Sequence, residues 1–347
     1  MKKILVAPLN WGLGHATRCI PIIKGLIENG FEPIIASDGV ALELLKKEFP
    51  ALVYFELPSY NIQYAENGKN FKWKMIAQIP KIISAVRNEE KKIDSILEKH
   101  QIDGIISDNR LGVFSKKVPC VFITHQLNVL TGSSSYFTTK LHKKYILKFQ
   151  QCWVPDLEGH NNLTGKLGHQ SDQIKNVKYI GPLSRLHKKP LPIVYDLMVL
   201  LSGPEPQRSI LEKKIISELE NYDKKVVFIK GIVEKNQIKV EKNNITFYNY
   251  MNSEELENTF NISNLILCRS GYTTIMDLAK LHKKAFFIPT PGQYEQEYLA
   301  EKFEKEGIIP TCKQEDFKIE YINRIEKYKG FTNYGKKITW KELFNLF

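Results

Sequence analysis

The first apolar run of the chain ends in a glycine pair, a histidine and an arginine: Gly12-Leu13-Gly14-His15-Ala16-Thr17-Arg18. Glycines let the backbone turn sharply and leave no Cβ to obstruct a ligand. A helix that follows such a turn presents its free N–H groups to a phosphate or a developing oxyanion. His15 stands at the helix start, where an imidazole nitrogen could take or give a proton. Arg18 lies about one turn further on and is a candidate phosphate contact, together with Gly12 and Gly14. A plain strand-to-helix turn, with His15 as a cap and Arg18 on the surface, is the simpler alternative. The conjunction of four such residues favours chemistry.

Two later segments repeat the theme. In Ser202-Gly203-Pro204-Glu205-Pro206-Gln207-Arg208, a hydroxyl and backbone N–H groups could meet a phosphate, and Arg208 could neutralise it with a forked donor. In Cys268-Arg269-Ser270-Gly271-Tyr272-Thr273-Thr274, a turn leads at once into a helix with hydroxyls at its start, where a diphosphate would bind. Asp277 falls just over one turn inside that helix, where a carboxylate can accept both hydroxyls of a ribose. The next apolar run ends in Pro289-Thr290-Pro291-Gly292, and Gln293, Glu295 and Gln296 open another helix with groups that suit sugar hydroxyls. Taken singly, Asp277 reads as a solvated helix residue and Gln296 as a cap; their grouping at consecutive strand ends points to a nucleotide.

Asp108 and His125 each follow a short apolar run, at the carboxyl ends of strands where α/β proteins place their sites. Either could deprotonate an acceptor hydroxyl; a turn-forming Asp and a hydrogen-bonded loop His are equal alternatives.

These residues need a scaffold, and the chain supplies an alternating one. Ile4–Pro8, Pro33–Ala36, Leu52–Leu57, Gly104–Ser107, Val121–Thr124 and Cys152–Val154 read as strands; Thr17–Glu28, Ala41–Lys47, Ile76–Lys99 and Leu141–Gln150 read as helices. After a proline-punctuated basic stretch from Gly181 to Pro192, read as a linker, the rhythm restarts. Leu197–Leu201, Val226–Ile229, Ile245–Tyr248, Leu265–Leu267 and Phe286–Ile288 read as strands, with helices at Ser209–Glu220, Glu254–Phe260, Thr273–Lys280 and Gln296–Glu306. The expectation is α/β, two facing Rossmann-like doubly wound domains with an interdomain cleft. Residues 1–185 would bind the acceptor and 193–330 the donor, with a C-terminal helix at 336–347 as a candidate to join the first.

The second half resembles the donor-binding domain of glycosyltransferase family 28, one member of which moves N-acetylglucosamine from UDP to a lipid-linked acceptor in peptidoglycan synthesis. The motifs are Arg269-Ser270-Gly271, then Thr274-Ile275-Met276-Asp277-Leu278, then Ile288-Pro289-Thr290-Pro291, and the glutamine-rich start from Gln293 to Gln296. Gly12-Leu13-Gly14-His15 is similar to the family's first loop, Ser202-Gly203 falls at its second, and Tyr248 to Met251 falls where it grips the base. The resemblance implies a GT-B fold, a nucleotide-sugar donor, UDP-linked by analogy, a glycan or lipid-linked acceptor, inversion, and no cofactor or required metal. The chain departs from the family in Asp277 for glutamate, in the Ser-Gly-Pro-Glu-Pro loop, and in Glu295 beside Gln296.

Gly12 to Arg18 also resembles the loop of sugar-nucleotide hydrolases, so hydrolysis or epimerisation on the same scaffold is the alternative activity. The net charge of +12 alone suggests a nucleic-acid or nucleotide binder. No aromatic RNA-binding motif supports that, and no nucleic-acid partner is expected. Five scattered cysteines without a C-x-x-C pair fit a reducing compartment. No run approaches the roughly 18 apolar residues of a membrane span, which suggests a cytoplasmic protein. The basic helix from Thr138 to Phe149 and the stretch Lys69, Lys72, Trp73 and Lys74 could rest on the anionic inner face of a membrane. A solvated lysine face is the plainer reading.

Overall fold

The computed structural model describes residues 1–60, 71–130, 135–169, 174–232, 234–332, 334 and 338–347, without the side chains of 71–80 and 137. Among these, 1–60, 72–185 and the terminal 338–347 form one compact unit, and 186–334 form the other.

In the first unit the order is β1 (Lys3–Pro8), α1 (Leu13–Glu28), β2 (Glu32–Ser37), α2 (Gly39–Glu48), β3 (Tyr54–Glu56), α3 (Phe71–Lys99), β4 (Gly104–Asp108), β5 (Cys120–Ile123), α4 (Ser135–Ile146), β6 (Gln151–Val154) and β7 (Val177–Tyr179). The sheet runs β3-β2-β1-β4-β5-β6-β7, and every pairing is parallel. A parallel sheet is covered on both faces, so its central strands read as unbroken apolar runs: Ile4 to Ala7, Ile105 and Ile106, and Val121 to Ile123 are all buried. On one face Leu5, Ile34, Ile105 and Phe122 pack with Ile93 and Ile96 of α3. The terminal helix α9 (Trp340–Phe344) completes the unit. Its Phe344 ring lies 5.6 Å from that of Phe31 and 6.3 Å from that of Trp153.

In the second unit the order is β8 (Tyr195–Leu200), α5 (Gln207–Glu218), β9 (Val226–Ile229), β10 (Lys239–Lys242), β11 (Ile245–Tyr248), α6 (Ser253–Asn261), β12 (Ser263–Cys268), α7 (Tyr272–Leu281), β13 (Lys284–Phe287) and α8 (Tyr294–Lys305). The sheet order is β10-β11-β9-β8-β12-β13, parallel except for the β10–β11 hairpin.

Several expected bounds move. The strand at 52–57 shrinks to β3. The helix placed at Leu141–Gln150 runs instead from Ser135 to Ile146, because Phe149 turns inward to lie 4.9 Å from the Phe122 ring. The 181–192 stretch, read as a linker, does contain the boundary between the two units, at Arg185 and Leu186, and it is packed on either side of that boundary. Leu183 and Leu186 are fully buried, and the backbone N–H of His187 and Lys189 donate to Glu257 (2.7 Å) and Asn261 (2.8 Å).

In each sheet one place exists where the strands on either side connect in opposite directions: between β1 and β4 in the first, and between β8 and β12 in the second. Open α/β sheets bind ligands in the crevice outside the carboxyl ends of the strands at that point.

Candidate active site

At the β1/β4 switch point the chain leaves β1 through Leu9 to Gly12, and α1 starts at Leu13. Gly12 is the N-cap, with φ of 83°, a left-handed conformation that favours glycine. No side chain caps the helix, so its first N–H groups keep the anion-facing character expected of them.

His15 and Arg18 are one turn apart on the buried face of α1, and both reach the end of β4. Nδ1 of His15 lies 2.9 Å from Oδ1 of Asp108. Arg18 grips the same carboxylate with both prongs, Nε to Oδ2 at 2.5 Å and Nη2 to Oδ1. Arg18 Nη1 reaches Nδ1 of His125 at 2.9 Å, from just beyond β5. Thus four of the residues singled out from sequence meet in one cluster. Arg18 and Asp108 are almost wholly buried, whereas the His15 side chain keeps 13% of its surface exposed.

The electrostatics divide the roles. Burial alone would raise the Asp108 carboxyl, but the charges and hydrogen bonds of Arg18 and His15 outweigh it and hold it below the usual carboxylate range. Asp108 is therefore held as an anion, in place to orient His15. Burial, then the Arg18 cation, lowers His15, and the Asp108 anion offsets part of this. His15 stays neutral at physiological pH, as a proton acceptor must. Arg18, expected from sequence as a phosphate contact, here meets the Asp108 carboxylate and the imidazoles of His125 and His15.

Sequence reasoning missed a second buried network beside this cluster. Arg110, two residues past Asp108, is fully buried. It donates Nε to Glu89 at 2.6 Å, and Nη2 to Asp38 at 2.8 Å and to the Pro58 carbonyl at 2.9 Å. Asp38 also accepts from Asn10 Nδ2 at 3.1 Å, which ties the network to the loop before His15. Only the position of Arg110 just after β4 hinted at this; Glu89 sits in a charged helix stretch that reads as solvated.

The β8/β12 switch point brings together loops 201–206 and 269–271, with loop 289–293 beside them. Gly203 has φ of 105°, and a Cβ there would stand 3.7 Å from Oγ1 of Thr290. That hydroxyl and Oε1 of Gln293 are buried without a hydrogen-bond partner, a state that native proteins seldom leave unfilled. Tyr272 starts α7, and among the described residues no side chain caps that helix start. Thr273 and Thr274 lie half-buried in its first turn, and Asp277 is buried further along.

Three expected donor contacts turn inward instead. Ser270 is fully buried and its hydroxyl donates to the Gln296 carbonyl at 2.7 Å. Arg269 spends its guanidinium on the carbonyls of Ile288 (3.1 Å), Pro289 (3.0 Å) and Gln207 (3.0 Å) and on Oε1 of Gln314 (2.6 Å); burial lowers it to about 10. Arg208 pairs with Glu205 and Glu212. These side chains frame the loops, because a buried guanidinium needs its donors satisfied within the protein. Gln296 is buried too, its Oε1 accepting from Thr290 N at 2.9 Å. Glu295 is half-buried on the first turn of α8, and Glu297, unnoticed in the sequence, accepts from Gly292 N at 2.8 Å. Tyr248 ends β11, away from these loops along the sheet order.

Comparison with known proteins fits this geometry. Residues 207–327 match the glycosyltransferase family 28 C-terminal domain. The chain is 26% identical over 360 residues to the UDP-N-acetylglucosamine–N-acetylmuramyl-(pentapeptide) pyrophosphoryl-undecaprenol N-acetylglucosamine transferase of Clostridium tetani (strain Massachusetts / E88), covering 96% of this chain and 94% of that one. It is 24% identical to an uncharacterized glycosyltransferase of Methanosarcina acetivorans, covering 94% and 93%. Among solved structures, the glycotransferase of kitacinnamycin superposes with TM-score 0.64 at 12% identity, covering 99% of this chain and 94% of that one. Acinetobacter baumannii MurG superposes with TM-score 0.53 at 12% identity, covering 94% and 90%. Two Rossmann-like units with their loops gathered at the switch points make the chain a nucleotide-sugar-dependent glycosyltransferase of the GT-B fold. The stretch that matches the glycosyltransferase family 28 C-terminal domain, residues 207–327, lies within its second unit.

Proposed function

We propose that the chain moves a sugar from a UDP-sugar to a hydroxyl of a lipid-linked acceptor, with inversion and with no need of a bound metal. The observation that carries the catalytic half is His15, neutral and oriented by the buried Asp108 anion. Nε2 of His15 takes the hydroxyl proton as the acceptor oxygen bonds to the anomeric carbon. The bond from that carbon to the diphosphate oxygen breaks, and the nucleoside diphosphate leaves with the electron pair. One displacement inverts the centre. The leaving charge is met by the N–H groups of α7 and the hydroxyls of Thr273 and Thr274. Asp277 holds the ribose, and Thr290, Gln293 and Glu295 lie toward the sugar, with Gln296 bracing the Thr290 loop. The named activity of the C. tetani relative supports UDP and a lipid-linked acceptor.

The test is product analysis with UDP-, GDP- and dTDP-sugars, each with and without undecaprenyl-pyrophosphoryl saccharide. UDP released only when both UDP-sugar and acceptor are present is the expected result. Free sugar formed without acceptor would make the chain a hydrolase instead. Asp277→Asn is expected to weaken UDP binding about ten-fold by calorimetry, the loss of one charge-assisted hydrogen bond; unchanged affinity removes the ribose assignment.

A peripheral membrane contact fits the same acceptor. Helix α4 and the turn after it expose Tyr136 (70%), Leu141 (55%) and Leu147 (63%) among Lys140, Lys144 and Lys148. Among the described residues no helix is long and apolar enough to cross a membrane. The side chains of Lys72, Trp73 and Lys74, and all of Lys69, lie outside the described residues. Co-sedimentation with phosphatidylglycerol vesicles at low salt is expected, and is weakened by Leu141→Glu/Leu147→Glu; equal binding to neutral vesicles would remove the electrostatic part.

A further inference from the structure

Two histidines flank Arg18, and only one of them can be a base. The guanidinium has donors and no acceptor. Its Nη1 lies 2.9 Å from Nδ1 of His125, so that nitrogen must offer its lone pair. A neutral imidazole carries one N–H, which then sits on Nε2. Neither nitrogen of His125 is left to accept a proton: one lone pair is held by Arg18, and the other nitrogen is already protonated.

The same arginine drives His15 the other way. Nδ1 of His15 lies 2.9 Å from both Oδ1 of Asp108 and Nη2 of Arg18, and it cannot donate to one and accept from the other. Nη2 also bonds Oδ1 directly. A carboxylate oxygen has room for two donors, so a proton on Nδ1 lets both hydrogens converge on the anion. A lone pair on Nδ1 would instead face the anionic Oδ1 at 2.9 Å. The charge-assisted arrangement is the stronger one, and it leaves the lone pair of His15 on Nε2.

We propose that Arg18 is a positioning residue that assigns the protons of the site, fixing His15 as the Nδ1–H tautomer with a basic Nε2 and His125 as the Nε2–H tautomer barred from acting as base. Its two-pronged hold on Asp108 is what makes one residue able to do both, since it fixes the guanidinium plane between the two rings. The tautomer of His125 follows from geometry alone; the consequence for catalysis rests on the reading of His15 as base.

The test is long-range proton–nitrogen correlation NMR on the full chain with 15N-histidine, with the two residues assigned through His15→Gln and His125→Gln. Opposite tautomers are expected at pH 7.5: the N–H on Nδ1 of His15 and on Nε2 of His125. A proton on Nδ1 of His125 overturns the proposal whatever the activity, and no variant of Arg18 is needed to see it. Opposite tautomers in an enzyme whose rate ignores His15→Gln would leave the assignment standing and remove the base reading. Arg18→Gln supplies the functional arm. His15 is faced by Arg18, Asp108 and His125; removal of the cation is expected to move the acid limb of the rate profile upward by about one unit or more and to mix the His125 tautomers. Arg18→Lys, which keeps the charge without the fork, is expected to restore the limb but not the tautomer. A lower rate with an unmoved limb and unchanged tautomers would make Arg18 merely structural.

Discussion

Replacement of His15 by alanine lowers kcat by about 10²- to 10⁴-fold, the range that a positioned general base supplies, and leaves the Kd for UDP unchanged. The second half of that expectation follows from where the groups sit: His15 belongs to the first unit, and the nucleotide contacts argued above all belong to the second. The pH dependence has a definite sign. Neutral His15 is the active form, and burial and Arg18 lower its pKa from the ordinary 6.5. The acid limb of kcat therefore lies below pH 6.5 in the native enzyme. The linked effect on stability runs the same way. The unfolded chain binds a proton at His15 near pH 6.5 while the folded chain does not, so the His15 contribution to stability falls as pH drops below that value and is flat above it. A rate profile whose acid limb lies above 6.5 would mean that Asp108, not Arg18, dominates the imidazole. An alanine variant with native kcat would end the role of His15 altogether.

The parts of this enzyme that were legible in sequence are those governed by local physics. Strands buried on both faces show as apolar runs such as Val226 to Ile229, and the glycine turns at Gly12 and Gly271 mark where strands give way to helices. Edge strands escaped notice. β10 is Lys-Val-Glu-Lys, fully exposed, and owes its conformation to its partner β11. The helix α4 was displaced because Phe149, apolar at a helical spacing, serves the core from a turn after the helix.

Polar partners separated by long stretches of chain were not legible at all. Arg18 was read as a phosphate contact because its neighbours were glycines, and its grip on Asp108, 90 positions away, had no local signal. Ser270 and Gln296 were each expected to face a ligand, and instead they join α7 to α8 across the loop. Arg208 is the exception that was open to local reasoning, since Glu205 and Glu212 stand at i−3 and i+4, the spacing of helical ion pairs. Residue types at a glycine loop thus indicate the chemistry available; which of them faces the ligand depends on buried pairings that only the fold reveals.

Replacement of Glu89 by alanine is expected to cost about 3–5 kcal/mol, the penalty of stranding one member of a buried ion pair. Glu89 and Arg110 are both fully buried. Deletion of the carboxylate leaves Arg110 Nε without its 2.6 Å partner. It also strands the Tyr60 hydroxyl, which donates to Glu89 at 2.7 Å, and the Gly112 N–H, which donates at 3.1 Å. For a unit of this size that corresponds to a fall in Tm of roughly 10 °C. The carboxylate is held above its ordinary pKa by burial, against the pull of Arg110, so desolvation is a large part of what the pair has to offset. Joint replacement Glu89→Leu/Arg110→Met removes both charges and is expected to cost less than Glu89→Ala alone, a coupling that a double-mutant cycle measures directly. The effect should reach the active site, because Arg110 holds Asp38, Asp38 holds Asn10, and Asn10 begins the loop that delivers His15. Glu89→Ala at a temperature where it remains folded is therefore expected to lower kcat, with the Kd for UDP untouched. A loss of less than about 1 kcal/mol would show that water reaches Arg110 and that the network does not anchor the loop.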